Sequence, residues 1–125
     1  MRNITTVSVG RSDYNITKTL YELISKEKKI NLNLIAIGAH FSEEYGYSYQ
    51  NIDKSFFKKI TKIKLNMIKN DKANQTKSMS KIIYDVSLYF KNNKIDLILI
   101  LGDRFEMLSV AIAAMNYRIP IAHIH

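Results

Sequence analysis

The sequence predicts an α/β fold, a parallel β-sheet with helices on both faces. Short aliphatic runs alternate with longer stretches of helical periodicity, the pattern that builds parallel sheets through helical crossovers. Three of those runs are closed by a glycine, at Gly10, Gly38 and Gly102. One of them, Ile95 to Leu101, is apolar apart from Asp96, as expected of a strand buried on both faces.

Along the chain, Ile4 to Val9 is β-branched and loosely alternating, and reads as a first strand. Ser12 or Asp13 can cap the helix after it, with Ile16, Leu20, Leu23 and Ile24 at helical spacing as its apolar face. Leu32 to Ile37 is a second strand. Residues 39 to 53 read as loop, with Tyr45, Tyr47 and Tyr49 around Gly46. Ile60 to Met67 alternates, with Ile63, Leu65 and Met67 opposite Lys62, Lys64 and Asn66, and reads as a strand with one wet face. Asn70 to Asn93 holds a long helix striped by Met79, Ile82, Ile83, Val86 and Phe90. After Ile95 to Leu101 comes a helix from Phe105 to Asn116, whose Ala111, Ala113 and Ala114 suit close packing on a sheet. Ile119 to Ile124 is a last, buried-type strand opened by Pro120, which is tolerated there. A chain of 125 residues allows one domain at most. Because it stops at His125 with no helix to cover the last strand, it reads as a fragment.

Composition narrows the function. The chain has no cysteine, so disulfides, thiolate metal sites and a cysteine nucleophile are excluded. No apolar run is long enough to span a membrane and no signal peptide is visible, so a soluble cytoplasmic protein is expected. The net charge is +8, and the excess lies between Lys54 and Lys94, with 11 lysines, no arginine and only Asp71 and Asp85 as acids. A polyanion-binding face is one reading. A solvated lysine surface is the other, and it is favoured: arginine forks and stacking aromatics are not convincingly offered there. Nucleic acid and membrane are therefore not expected partners.

Open parallel sheets bind ligands beyond the carboxyl ends of their strands. The first strand runs into Gly10-Arg11-Ser12-Asp13 and the second into Gly38-Ala39-His40. The strand ending at Leu101 runs into Gly102-Asp103-Arg104-Phe105, and the last one closes on His123 and His125. Glycine admits a close backbone approach, helix N-termini carry partial positive charge, and arginine forks onto phosphate oxygens. These residues suit an anionic ligand. Neither G-x-G-x-x-G nor G-x-x-x-x-G-K-[ST] is present, so a dinucleotide fingerprint and a P-loop are unsupported. Asp103, after five aliphatic residues, is a candidate general acid or base, or else a cap for the Phe105 helix. Glu106 in the first turn is expected to complement that helix's dipole. His40, His123 and His125 form a metal site only if the fold gathers them, and no metal is expected.

The segments Gly10-Arg11-Ser12-Asp13-Tyr14, Gly38-Ala39-His40-Phe41-Ser42-Glu43-Glu44-Tyr45-Gly46, Gly102-Asp103-Arg104-Phe105-Glu106-Met107-Leu108 and Ile119-Pro120-Ile121-Ala122-His123-Ile124-His125 together resemble the start of the hydrolysing UDP-N-acetylglucosamine 2-epimerases of sialic-acid and related pathways. The resemblance runs over the whole chain. It implies a Rossmann-like sheet forming the N-terminal half of a glycosyltransferase-B type fold, with residues 1–125 as most of that half and the C-terminal domain absent. It implies UDP-N-acetylglucosamine or a 2,4-diacetamido relative as substrate, no cofactor, and a homo-oligomeric parent enzyme. In the family UDP leaves by elimination and the resulting glycal is hydrated to the free 2-epimer. Asp103 matches the family's essential aspartate, Arg11 and Arg104 match arginines on UDP, Asn15 replaces a contacting serine, and His40 matches a histidine near the sugar. Two residues after His123, where many members carry an acid-base glutamate, this chain has His125, whose imidazole can shuttle protons near neutral pH. The chain alone is expected to be inactive. A non-hydrolysing 2-epimerase and a non-catalytic nucleotide- or polyanion-binding module are the alternatives.

Overall fold

The computed structural model of the chain describes residues 1–41, 48–65 and 71–125. Ser42 to Tyr47, Asn66, Met67 and Asn70 lie outside the described residues, and with them part of the second resemblance segment and the end of the expected third strand. The elements are β1 (Arg2–Ser8), α1 (Arg11–Ser25), β2 (Ile30–Ile37), β3 (Lys59–Ile63), α2 (Lys72–Asn92), β4 (Leu97–Leu101), α3 (Phe105–Asn116) and β5 (Ile121–Ile124). Three short 3-10 turns, Gly38–Phe41, Ser48–Asn51 and Lys54–Phe56, lie between β2 and β3.

The described strands form one sheet in the order β3-β2-β1-β4-β5, every pair parallel. The chain winds from β1 outward through β2 to β3, then returns through α2 to β4 on the other side of β1. The strand order therefore reverses between β1 and β4, the place where such sheets open a crevice at their carboxyl edge.

The helices fall on opposite faces because β2 and β4 carry apolar residues on both. On one face Val7, Val9, Ile35, Ile37, Ile98 and Ile100 pack under α2 and α3, against Ile82, Val86, Phe90, Met107 and Val110. Ala113 and Ala114 are buried there too, and their small side chains let α3 lie close to the sheet. On the other face Leu32, Leu34, Ala36 and Leu99 pack with Tyr14 and Tyr21 of α1 and with Ile52 and Phe57. The α2 start is capped by Asp71, whose carboxylate accepts from the Asn74 N–H at 2.8 Å, a contact worth about 1 kcal/mol.

Several expectations are corrected. The apolar face of α1 is rotated from the expected stripe: Leu20 and Ile24 pack against the core as expected, but Ile16 and Leu23 are 71% and 62% exposed, while Tyr14, Thr17 and Tyr21 are buried. The tyrosines win because each ring reaches the core while its hydroxyl finds a partner, Thr6 Oγ1 at 3.0 Å for Tyr21 and the Asp53 N–H at 2.9 Å for Tyr14. Helix α1 starts earlier than a Ser12 or Asp13 cap requires. Gly10 is the cap residue, and Asp13 in the first turn reaches back to the Gly10 N–H at 2.7 Å. Among the described residues strand β5 pairs only with β4, and it is not buried, with Ile121 and Ile124 both more than a third exposed.

Candidate functional site

The two polar turns beside the strand-order reversal lie at one edge of the sheet. β1 and β4 pair with Thr6 opposite Leu99. Arg11 lies five residues beyond Thr6 and Arg104 five beyond Leu99, so both arginines emerge past the carboxyl ends of adjacent strands. They line two different clefts there.

The first cleft, of about 420 Å³, runs along α1. Arg11, Asn15 and Lys18, at helical spacing, form one wall, and Ser48, Asn51, Asp53 and Phe56 form the other. Ser55 donates two hydrogen bonds to the Asp53 carboxylate, which hold its pKa below the ordinary value. Behind the cleft lies a buried polar chain. The Asp13 carboxylate accepts from the Val9 N–H at 3.0 Å, from the Gly10 N–H at 2.7 Å and from the Ser8 hydroxyl at 3.0 Å. The Ser8 hydroxyl has one proton and gives it to Asp13, so it accepts from His40 Nε2–H at 2.7 Å. Nδ1 of His40 is then unprotonated and accepts from the Ser48 hydroxyl at 2.9 Å. Protons are donated in one direction, Ser48 to His40 to Ser8 to Asp13. Burial pushes the His40 pKa below its ordinary value, and the Asp13 charge opposes this only partly.

This arrangement refines the role expected of His40. Its ring is fully buried and both nitrogens are engaged by serine hydroxyls. The imidazole braces the cleft from behind and keeps no free nitrogen for a sugar. Arg11 and Asn15 are exposed in the cleft itself.

The second cleft, of about 370 Å³, lies between the β4–α3 turn and β5. Gly102, Asp103, Arg104 and His123 supply its polar side, and Met107, Ala111 and Ile121 its apolar side. Gly102 has φ +82°, a conformation that favours glycine, and it turns the chain sharply out of β4. The turn is pinned to β5 by Gly102 N–H donating to the Ile124 carbonyl at 3.0 Å and by His123 Nε2–H donating to the Gly102 carbonyl at 2.7 Å. Asp103 does not cap α3, whose cap residue is Arg104. Among the described residues the Asp103 carboxylate has no hydrogen bond or ion pair, and it is exposed. It is open to a ligand.

Arg104 is held by a residue whose part the sequence did not reveal. Its Nε–H and Nη2–H donate to the two oxygens of Glu106 at 3.2 and 3.0 Å. The Glu106 side chain is 1% exposed and the Arg104 side chain 45%. Glu106 is thus a buried anchor, and any dipole role is secondary to that pair. His125, with φ +56°, is exposed at the end of β5 and lines neither cleft. Among the described residues no three His, Cys, Asp or Glu side chains are grouped to hold a metal.

Comparison with known proteins agrees with this architecture. The family model described as UDP-N-acetylglucosamine 2-epimerase matches residues 22–125. The chain belongs to the UDP-N-acetylglucosamine 2-epimerase family. It is 40% identical, over 98% of its length, to a GDP/UDP-N,N'-diacetylbacillosamine 2-epimerase (hydrolyzing) of Campylobacter jejuni, covering 32% of that protein. It is 33% identical over its full length to the polysialic acid biosynthesis protein P7 of Escherichia coli, again covering 32%. The chain therefore spans about a third of the curated relatives it matches. Among solved structures, the UDP-GlcNAc 2-epimerase of Neisseria meningitidis bound to UDP-GlcNAc aligns with TM-score 0.71 at 20% identity, over 98% of this chain and 32% of that one. That likeness establishes the fold: the Rossmann-like sheet of an epimerase family with the glycosyltransferase-B architecture, as the sequence led one to expect.

Proposed function

We propose that this chain supplies the first nucleotide-sugar-binding half of a hydrolysing UDP-sugar 2-epimerase, acting on UDP-N-acetylglucosamine or a 2,4-diacetamido analogue. The observation that carries the reading is the pair of arginine-bearing turns at the strand-order reversal, one of them presenting an unpartnered carboxylate, Asp103. The names of the curated relatives support the hydrolysing chemistry.

In this reading Arg104 takes the diphosphate beside Asp103, and Arg11, in the neighbouring cleft along α1, contacts the nucleotide with Asn15. Each arginine offers a planar fork of N–H donors that matches phosphate oxygens. Asp103 acts as base and removes the proton from C2 of the sugar while the C1–O bond to UDP breaks, so the electron pair of the C2–H bond becomes the C1–C2 double bond. Charge builds on the departing diphosphate, and Arg104 stabilises it there. Water then adds its hydroxyl to C1 and a proton returns to C2 on the opposite face, giving the free 2-epimer. His125 lies outside both clefts, and no step is assigned to it in this reading. His40 acts by holding the cleft wall. The parent enzyme is read as a cytoplasmic homo-oligomer. Its second half supplies the remaining nucleotide contacts.

The test is product analysis. The 125-residue chain incubated with UDP-N-acetylglucosamine should bind nucleotide and release no free N-acetylmannosamine. The same residues within a protein of the relatives' full length should release free 2-epimer plus UDP. Recovery of an epimerised UDP-sugar instead would assign the non-hydrolysing reaction.

A further inference from the structure

We infer that Glu106 is a positioning residue for diphosphate binding, acting through Arg104. The inference rests on the UDP-sugar reading above and deepens it, by naming how one arginine of that site is aimed.

A carboxylate as buried as Glu106 is costly unless it is paired, and its hydrogen bonds among the described residues are both from Arg104. The pair uses the Nε and Nη2 side of the guanidinium. A guanidinium has five N–H donors in a rigid plane, so fixing one edge fixes the direction of the other. The edge that remains, Nη1 with the second Nη2 proton, is free for a second fork. Arg104 is itself half-exposed and lines the cleft with Asp103. Backbone geometry alone does not give this precision. Arg104 precedes the first turn of α3 with no side-chain cap bond, and a free arginine there would sample many rotamers. Glu106 sits two residues on, rooted in the core beside Met107 and Val110, and removes that freedom in advance. The ligand class is a diphosphate, whose paired oxygens accept a second parallel set of N–H bonds.

Glu106 has two opposing effects on an anionic ligand. Its negative charge weakens the attraction of Arg104 for the diphosphate, and its geometry spares the ordering of the side chain. A double-mutant cycle separates them. UDP affinity is measured by calorimetry for the unsubstituted chain, Glu106→Gln, Arg104→Lys and the double variant. In the Arg104→Lys background there is no fork to aim, so Glu106→Gln reports only the charge effect. In the Arg104 background it reports charge plus aim. The expected result is that Glu106→Gln is less favourable to UDP binding by about tenfold, roughly 1.4 kcal/mol, in the Arg104 background than in the Arg104→Lys background. The Arg104 Nε–H resonance gives a ligand-free readout: it should be slow to exchange in the unsubstituted chain and fast in Glu106→Gln. Equal effects of Glu106→Gln in the two backgrounds would overturn the positioning role alone, leaving the UDP-sugar reading intact. Failure of the unsubstituted chain to bind UDP would overturn both. Should Glu106→Gln not fold, Glu106→Asp, which keeps the charge and shortens the reach, is taken through the same cycle with the same expected sign.

Discussion

Nε2 of His40 lies 2.7 Å from the Ser8 hydroxyl, and the two side chains are completely buried although 32 residues separate them in sequence. Through this contact the turn after β2 is tied to the end of β1, under the wall of the first cleft. His40 also anchors by its backbone, its N–H donating to the Val9 carbonyl at 3.0 Å. The relationship fixes the protonation state of the ring and leads directly to a pH dependence.

Because burial lowers the folded-state pKa of His40, the unfolded chain binds its proton more readily. The stability tied to the neutral ring is fully present above the unfolded value of about 6.5 and is lost as pH falls toward the lower folded value. Urea unfolding at several pH values between about 5 and 8 should show stability falling below pH ~6.5. His40→Gln, which cannot titrate, should flatten that slope while the exposed His123 and His125 remain. An unchanged slope would assign it to other groups.

Asp13→Asn should destabilise the chain by about 2–3 kcal/mol. The carboxylate accepts three hydrogen bonds, and an amide replaces an acceptor oxygen by a donor facing N–H and O–H groups. The check is the urea midpoint at neutral pH. A loss no larger than about 0.5 kcal/mol, typical of a surface site, would contradict the buried chain described above.

Arg118→Gly should stabilise by about 0.5–1 kcal/mol. Arg118 lies just past the end of α3 with φ +55°, while the N–H groups of Arg118 and Ile119 bond back to Met115 and Ala114. A non-glycine residue is strained in that left-handed conformation, and the relief exceeds the added entropy of the unfolded chain. A higher thermal midpoint is the expected observation.

Asp103→Asn should leave stability within about 0.5 kcal/mol of the unsubstituted chain, since its carboxylate is exposed and has no partner among the described residues. UDP affinity should be unchanged or tighter, because a negative charge is removed beside a diphosphate. In a protein of the relatives' full length the same substitution should abolish turnover. Loss of UDP binding would instead make Asp103 a binding group.

The parallel sheet was legible because it rests on local signals: aliphatic runs, glycine stops and helical spacing place the five strands, and the tendency of ligands to sit beyond strand carboxyl ends directs attention to Arg11, Asp103 and Arg104, whereas the strand order β3-β2-β1-β4-β5 came from the structure alone. Each failure has a physical cause. The α1 stripe through Ile16 and Leu23 was misread because hydrophobicity alone ranks them above Tyr14, Thr17 and Tyr21, whose hydroxyls are bonded inside. Strand β5 reads as buried from its composition, yet burial depends on neighbours that composition does not specify. The Ser8–His40–Ser48 chain could not be read at all, since it exists only once β1 and the β2–β3 connection meet. Glu106 left one signal: an acid two residues after an arginine at a helix start can reach back to it.

The most direct measurement is UDP titration of the chain by calorimetry, repeated with Arg104→Ala and Arg11→Ala. Saturable UDP binding that Arg104→Ala abolishes and Arg11→Ala weakens is expected if the reversal between β1 and β4 is a diphosphate site. UDP binding untouched by both substitutions, alongside steeply salt-dependent RNA binding through the lysine-rich stretch from Lys54 to Lys94, would contradict it.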